Sequence, residues 1–480
     1  MNIQSVGQLM FEFLMGKRVE VEAAEEQISS DAGLLPIREF DRRLGWSEGF
    51  ADQIHDGRCG CTHAVREMVR QRVFGILAGY EDQNDHDTLR SDAVFKVIAG
   101  RSPDGLDLAS QPTLSRLENA VTAADLLRLE EWFLAQFIGS FDAPPTELTL
   151  DIDVFDDPTH GAQQLTFFHG FYEQYQYLVR VITCAENDLV VFPVLLHGTA
   201  HAALGAVQDV ERVVARLRAV WPDVRIRVRA DSGYAVPTFY AACEEQQVEY
   251  TIGLGMNPVL QRESDATLQI AVDTFLMTNQ PQRLFTAFEY QAATWPQPRW
   301  VVVKCEVNEQ GPNRRAVVTN RLGARVLPQG AYEDYADRGE SENRNKELKC
   351  GLAAGRLSDH RYLANCFRSM MHTLAHNLLV RLRRLVALPP APPAVVPDLP
   401  LEARSPHQKR RYHNQRRQAD PLGEGQACTW RTQLIKVAAR VIVSARRIRV
   451  LLSSAWPYWS QYQSVSQAVL AFTPPAPNTG

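Results

Sequence analysis

Apolar residues recur every three or four positions in the first 145 residues, for example over His63–Leu77 and Ala123–Phe137. That spacing predicts amphipathic helices, so residues 1–145 read as a mostly helical N-terminal region. At DAPP, ending on Pro145, the period changes. LTLDIDV (148–154) alternates apolar and polar residues, the signature of a half-buried strand, with Asp151 and Asp153 on one face. YQYLVRVIT and DLVVFPVLL predict two more strands, separated by a short turn. Val207, Val210, Val214 and Leu217 predict a helix over Ala203–Val220. VRIRVRAD (224–231) predicts a strand ending on an acid, followed by a helix near Pro237–Glu245 and the strand VEYTIGL.

The resulting order is βββαβαβ with carboxylates at two strand ends, as a ribonuclease-H-like α/β core requires. RWVVVKCEV and RAVVTNR suggest a β-rich insertion at about 265–325, before a helix over about Ala331–Gly351. A further helix is expected over Tyr362–Val386. LPPAPPAVVPDLP then marks a Pro-rich linker. The expected domains are the helical N-terminal region at 1–145, the α/β core with its insertion at 146–387, the linker at 388–403 and a C-terminal region at 404–480.

Charge sharpens this division. The chain carries a net −5, yet from Arg404 to Val450 there are 12 Lys or Arg against only Asp420 and Glu424, a local +10 that leaves −15 elsewhere. A basic tail on an acidic body implies a polyanionic partner. On a helical wheel Leu434, Val437, Val441, Ile448 and Leu452 fall on one side and Lys436, Arg440 and Arg447 on the other, so a basic amphipathic helix is expected there, contacting DNA or a second subunit. No run of about 18 apolar residues occurs, so no membrane span is expected. With no basic leader before an apolar block, and eight scattered cysteines, the expectation is a reduced cytoplasmic protein, associated with the nucleoid.

The helix YEDYADRGESENRNKELKCGL holds the densest chemistry. At about 100° per residue, Arg338, Glu342 and Lys349 fall within roughly 60° of Tyr335, while Glu340 and Glu347 point away. One carboxylate among a phenol and cations can hold a metal beside phosphates, although a charged helix face is more often merely solvated. The strand acids change that balance. Asp153, and Asp231 in ADSGY, sit at the ends of strands that can lie side by side, about 4.8 Å apart. A helix crossing those ends can add Glu342, and two metal ions about 3.5–4 Å apart need such a set. His160 and His169 are weaker candidates, and no phosphate-binding glycine loop is present.

Tyr, two residues, Arg, three residues, Glu, six residues, Lys resembles the Tyr-Arg-Glu-Lys signature of one branch of DDE transposases from bacterial insertion sequences. DVFDDPTHG, RADSGY and AARVIVSARRIRVLLSSAWPY are similar to the insertion-sequence 1380 family, and the resemblance runs from about Leu34 to about Tyr462. It implies that Asp153, Asp231 and Glu342 bind two Mg2+ or Mn2+ ions, with Tyr335, Arg338 and Lys349 beside the DNA phosphates. It implies a DNA transposase that binds double-stranded DNA at inverted-repeat ends and target, cuts and joins strands, and works as a homodimer on DNA. Relatives carry Thr two residues after the first acid, where this chain has Phe155, so Asp151 and Asp156 stand as rivals to Asp153. A hydrolytic nuclease of the same fold and a catalytically silent DNA-binding regulator are the competing readings.

Overall fold

The structure, a computed structural model, describes residues 9–11, 13, 19–21, 26–58, 60–170, 172–389 and 414–474. Most of the expected Pro-rich linker and the first ten residues of the basic tail lie outside the described residues.

The N-terminal region is built of helices α1 (Leu34–Leu44), α2 (Trp46–Asp52), α3 (Val65–Ala78), α4 (His86–Leu89), α5 (Ala93–Ala99), α6 (Gln111–Ala120) and α7 (Ala123–Ile138), preceded by short strands β1 (Leu9–Phe11), β2 (Val19–Val21) and β3 (Ile28–Ser29). Helix α7 starts at a reciprocal capping box. Thr122 accepts from the Asp125 backbone, and the Asp125 carboxylate accepts from that of Thr122.

From Glu147 the chain forms β4 (Glu147–Pro158), the short β5 (Phe167–His169), β6 (Gln174–Cys184), β7 (Val190–Leu196), α8 (Ala206–Val220), β8 (Arg225–Ala230), α9 (Pro237–Glu245) and β9 (Glu249–Leu254). Apart from β5, this is the βββαβαβ succession that the alternating pattern predicts. Strands β4, β8 and β9 run parallel at the centre of a nine-stranded mixed sheet. Leu148, Leu150, Ile152, Ile226, Val228 and Ile252 are buried there.

The segment expected as a β-rich insertion differs in two ways. It opens with a long helix, α10 (Pro258–Thr278), set by an Asn257 N-cap and Pro at its first position. Strands β10 (Gln282–Tyr290), β11 (Arg299–Asn308) and β12 (Gly311–Thr319) then extend the main sheet rather than forming a separate one, because β12 pairs antiparallel with β9. The α10 sequence has few apolar residues on its buried side, which includes Leu260, Ser264 and Ala271, so its period was faint.

The expected helix over 331–351 is two helices, α11 (Pro328–Ala336) and α12 (Arg338–Lys346), followed by one wide helical turn, Glu347–Gly351. Helix α13 (Tyr362–Val386) lies where the period places it, with a largely buried surface against α3 and β7. Glu347, the acid predicted to point away from the helix's polar face, is buried and paired with Arg383 of α13 through two bonds of 2.9 and 3.1 Å.

The C-terminal region contradicts the expected basic helix. After α14 (Ala427–Trp430), residues 439–452 form a hairpin of β13 (Ala439–Ser444) and β14 (Arg447–Leu452), followed by α15 (Trp459–Ala471). The β-branched run Val441, Ile442, Val443 and Ile448, Val450 suits an alternating pattern as well as a helical one, and stiff branched side chains pack better on a pleated surface. Strand β13 pairs with β3, and Leu434, Ile435, Val437, Ala439 and Val441 join the same core as the N-terminal helices. Lys436 and Arg440, expected on a free polar face, pair instead with Asp31 at 2.6 Å and Glu26 at 2.9 Å; Arg447 is exposed. Among the described residues no helix is long and apolar enough to cross a membrane.

Candidate active site

Asp151 and Asp153 lie on the same face of β4, but their surroundings separate them. The parallel register sets Asp151 opposite Arg229 of β8. The guanidinium grips the carboxylate with two bonds of 2.6 and 2.8 Å, and both side chains are buried. Asp156 is held by Lys349 at 2.5 Å and by Gln174 at 3.1 Å. Asp153, between them, meets α12. Its Oδ2 accepts from Arg338 Nη1 and from Asn345 Nδ2, each at 3.1 Å.

Arg338 also donates from Nη2 to Glu342 Oε1 at 2.6 Å, one helical turn on. Burial works against its charge, but Asp153, Tyr335, Glu342 and Asp231 all favour it, and its pKa is raised. Burial raises the carboxyl of Asp153 above the usual carboxylate range. Arg338 opposes that shift, while Asp231 and Glu342 add to it. The three acids therefore share one electrostatic environment with a single guanidinium among them.

Asp231 follows β8 and caps the tight turn Ser232–Tyr234, accepting from Gly233 N at 2.9 Å. Tyr335 reaches the same place from α11. A Cβ at Gly253 of β9 would lie 2.7 Å from the Tyr335 hydroxyl oxygen and 3.1 Å from the Ser232 nitrogen. Glycine at 253 is what lets the phenol approach the strand ends.

The predicted polar face of the 331–351 helix is thus brought together in part. Tyr335, Arg338 and Glu342 meet Asp153 near Asp231. The wide turn after Lys346 carries Lys349 on to Asp156, further along β4. Two residues escaped the sequence reading. Asn345 was hidden because an amide three residues after Glu342 carries no charge signal. Asp157, adjoining Asp156, is fully buried, and burial pushes its carboxyl up to about 8 despite a hydrogen bond from the Leu357 nitrogen.

Asp157 gives a pH signature. Its unfolded pKa is about 3.9, so between about pH 4 and pH 8 the unfolded chain ionises while the folded chain keeps the proton, and stability falls as pH rises through that window. Asp157→Asn keeps an oxygen for the Leu357 nitrogen and removes the titration. The variant is expected to be more stable than the parent at pH 8 by about 1 kcal/mol or more, with the gap closing below about pH 4. Urea midpoints at the two pH values check this, and parallel pH curves for the two proteins would refute it.

The donor set of three hard carboxylate oxygens suits a divalent cation such as Mg2+ or Mn2+. Among the described residues no three acidic, His or Cys side chains are arranged around one metal-sized point. The Arg338 guanidinium lies between Asp153 and Glu342, bonded to them at 3.1 and 2.6 Å.

Residues 11–391 match the family model described as "Transposase DDE domain group 1". Among solved structures, the chain is similar to one described as "Cryo-EM structure of piggyBac transposase synaptic complex with hairpin DNA (SNHP)", at 12% identity and a TM-score of 0.38, covering 75% of this chain and 77% of that one. No curated protein matches.

Proposed function

The chain belongs to the transposase DDE domain group 1 family, enzymes that act on DNA with divalent metal ions, and from that premise we propose that Asp153, Asp231 and Glu342 are its metal-binding acids, for two Mg2+ or Mn2+ ions. The observation that carries this reading is the single guanidinium of Arg338, bonded to Asp153 and Glu342 and stabilised by Asp231. Asp153 is favoured over Asp151 and Asp156 as the first acid because it shares Arg338 with Glu342, whereas Asp151 and Asp156 are tied to Arg229 and Lys349, away from Glu342.

Bound divalent ions supply Lewis acidity and an activated nucleophile at such a site. The protein's own part is to orient and to hold phosphate. Asn345 and the Val154 nitrogen fix the Asp153 carboxylate. Glu342, with a largely exposed side chain, closes the set from the helix. Arg338, Tyr335 and Lys349 stand beside it as the groups for the transposon-end phosphates. The sheet order β4, β8, β9 with acids on two neighbouring strands supports a ribonuclease-H-like core, and the Tyr335–Arg338–Glu342 grouping supports the Tyr-Arg-Glu-Lys branch and the insertion-sequence 1380 resemblance.

In this reading the enzyme binds the inverted-repeat ends of an insertion sequence, cleaves there and joins the freed 3′-hydroxyl to target DNA. Residues 1–145 read the ends, 146–387 catalyse, 388–403 link, and 404–480 contact DNA or a second subunit. Two ends need two active sites, hence a homodimer on DNA. Incubating a duplex with a pre-cut 3′-hydroxyl end, a plasmid target and Mn2+ is expected to give covalent joints. Nicks without joints would mean a hydrolytic nuclease and overturn the transposition reading.

A further inference from the structure

The hairpin β13–β14 sorts its residues by face. Period 2 and the register Arg440↔Leu451, Ile442↔Arg449 and Ser444↔Arg447 put Arg440, Arg447 and Arg449 on one side of the ribbon, with Arg446 in the two-residue turn. The other side carries Ala439 and Val441 into the core. The ribbon is moored by the pairing of β13 with β3, by the Val441 nitrogen on the Gln27 oxygen at 2.8 Å, and by the bridge from Asp31 to Val437.

Its cations are not equivalent. Arg440 is paired with Glu26. Arg446, Arg447 and Arg449 are exposed, and no ion pair to any of them occurs among the described residues. Elsewhere the exposed arginines Arg225, Arg356 and Arg42 each have a carboxylate within 3.0 Å, while Arg116 and Arg325 have no ion pair among the described residues but stand singly, so what sets the ribbon apart is three such cations together. Three neighbouring guanidiniums on one ribbon repel one another, and an anionic partner relieves that repulsion. Arg447 and Arg449 are two residues apart on a strand, so their backbones are separated by about 6.8 Å, about twice the rise per charge along one strand of a duplex. Just after β14, Trp456, Tyr458, Trp459 and Tyr462 form a contiguous aromatic group, with Trp459 stacked on Tyr462 at 5.7 Å and partly exposed.

We propose that this hairpin is a DNA-backbone clamp in which Arg446, Arg447 and Arg449, rather than Lys436 and Arg440, grip the phosphates of duplex DNA. The proposal rests on the reading of the chain as an enzyme acting on DNA, but not on the assignment of its three acids. The arginines contact phosphate and not base edges, so the grip is independent of sequence. An α-helix here would have spread the same residues around its circumference; the strand period gathers them on one side and at the tip.

The test uses the full chain in metal-free buffer with a short random-sequence duplex, so a failure of the metal-site assignment cannot affect it. Affinity is measured by fluorescence anisotropy over a range of salt concentrations. In R446Q/R447Q/R449Q the slope of log K against log salt is expected to fall by roughly 2–3, at about 0.9 per lost phosphate contact. Lysine at the same three positions is expected to restore most of it. A control, R262Q, neutralises an exposed cation on α10, outside the region assigned to reading the ends, and is expected to leave the slope unchanged. An unchanged slope in the triple glutamine variant overturns the proposal. So does a triple variant that binds DNA normally but no longer self-associates by light scattering, which would assign the ribbon to a second copy of the chain. Unchanged melting temperatures, expected because the three side chains are exposed, exclude loss of folding as the cause.

Discussion

Asp231→Ala is expected to abolish metal-dependent strand cleavage while leaving DNA binding and the melting temperature nearly intact. A metal at such a site contributes several kcal/mol of transition-state stabilisation, and each 1.4 kcal/mol or so is tenfold in rate, so a loss of roughly 10^3-fold or more follows. Asp153→Ala and Glu342→Ala are expected to match it. The rivals behave differently. Asp151→Ala leaves Arg229 buried without its carboxylate, a change that costs about 3–5 kcal/mol when one member of a buried pair is removed. That variant is expected to melt earlier and lose binding and cleavage together. Glu340 is exposed and bonds to neither Asp153 nor Arg338, so Glu340→Ala is expected to be mild. The measurement is cleavage of an end-labelled duplex beside a melting curve for each variant. Full activity in Asp231→Ala would remove the basis for the metal site, and a stable, inactive Asp151→Ala would move the first acid two residues back.

The central strands were legible because β4 and β8 alternate apolar and polar residues, although both faces of their paired stretch are buried, and alternation leaves little freedom of register. Asp231, just past the end of β8, was legible for the same reason, whereas Asp153 lies mid-strand because β4 runs on to Pro158. Tyr335, Arg338 and Glu342 share a face over a stretch short enough for an ideal wheel to hold; Lys349 lies within the wide turn Glu347–Gly351, which no wheel anticipates. What gives Asp151, Asp153 and Asp156 different surroundings is long-range pairing, with Arg229, Arg338 and Lys349 arriving from other elements. The sequence could offer all three acids but not their partners. The C-terminal hairpin was misread because its apolar residues satisfy two periods at once over a short span, and its pairing with β3, some 400 residues earlier, settles the matter. Helix α10 was missed for the opposite reason: much of it is exposed, so its pattern carries little contrast.

Arg338→Gln is expected to tighten the binding of Mn2+ to the DNA-free protein, the reverse of what loss of a site residue usually brings. The guanidinium bridges Asp153 and Glu342, so on the proposed assignment metal and arginine compete for the same oxygens. The competition is one-sided at Asp153, which is largely buried, and weaker at Glu342, whose exposed carboxylate is screened by water. Removing the competitor is therefore worth about tenfold in affinity, or roughly 1.4 kcal/mol. The pH dependence has a definite sign. Burial, Asp231 and Glu342 raise Asp153, and Arg338 holds it down. Without Arg338 the carboxyl takes up a proton at higher pH, and protons compete with metal. The gain is thus fullest at alkaline pH and shrinks as pH falls. On DNA the effect reverses, because a cation released from the carboxylates is available to phosphate, and its loss is expected to reduce the salt slope of binding by about one counterion. Calorimetric titration of Mn2+ at two pH values, with and without a DNA end, reads both arms. Weaker Mn2+ binding in the variant at alkaline pH would show that Arg338 supports the metal-bound state rather than standing in its place.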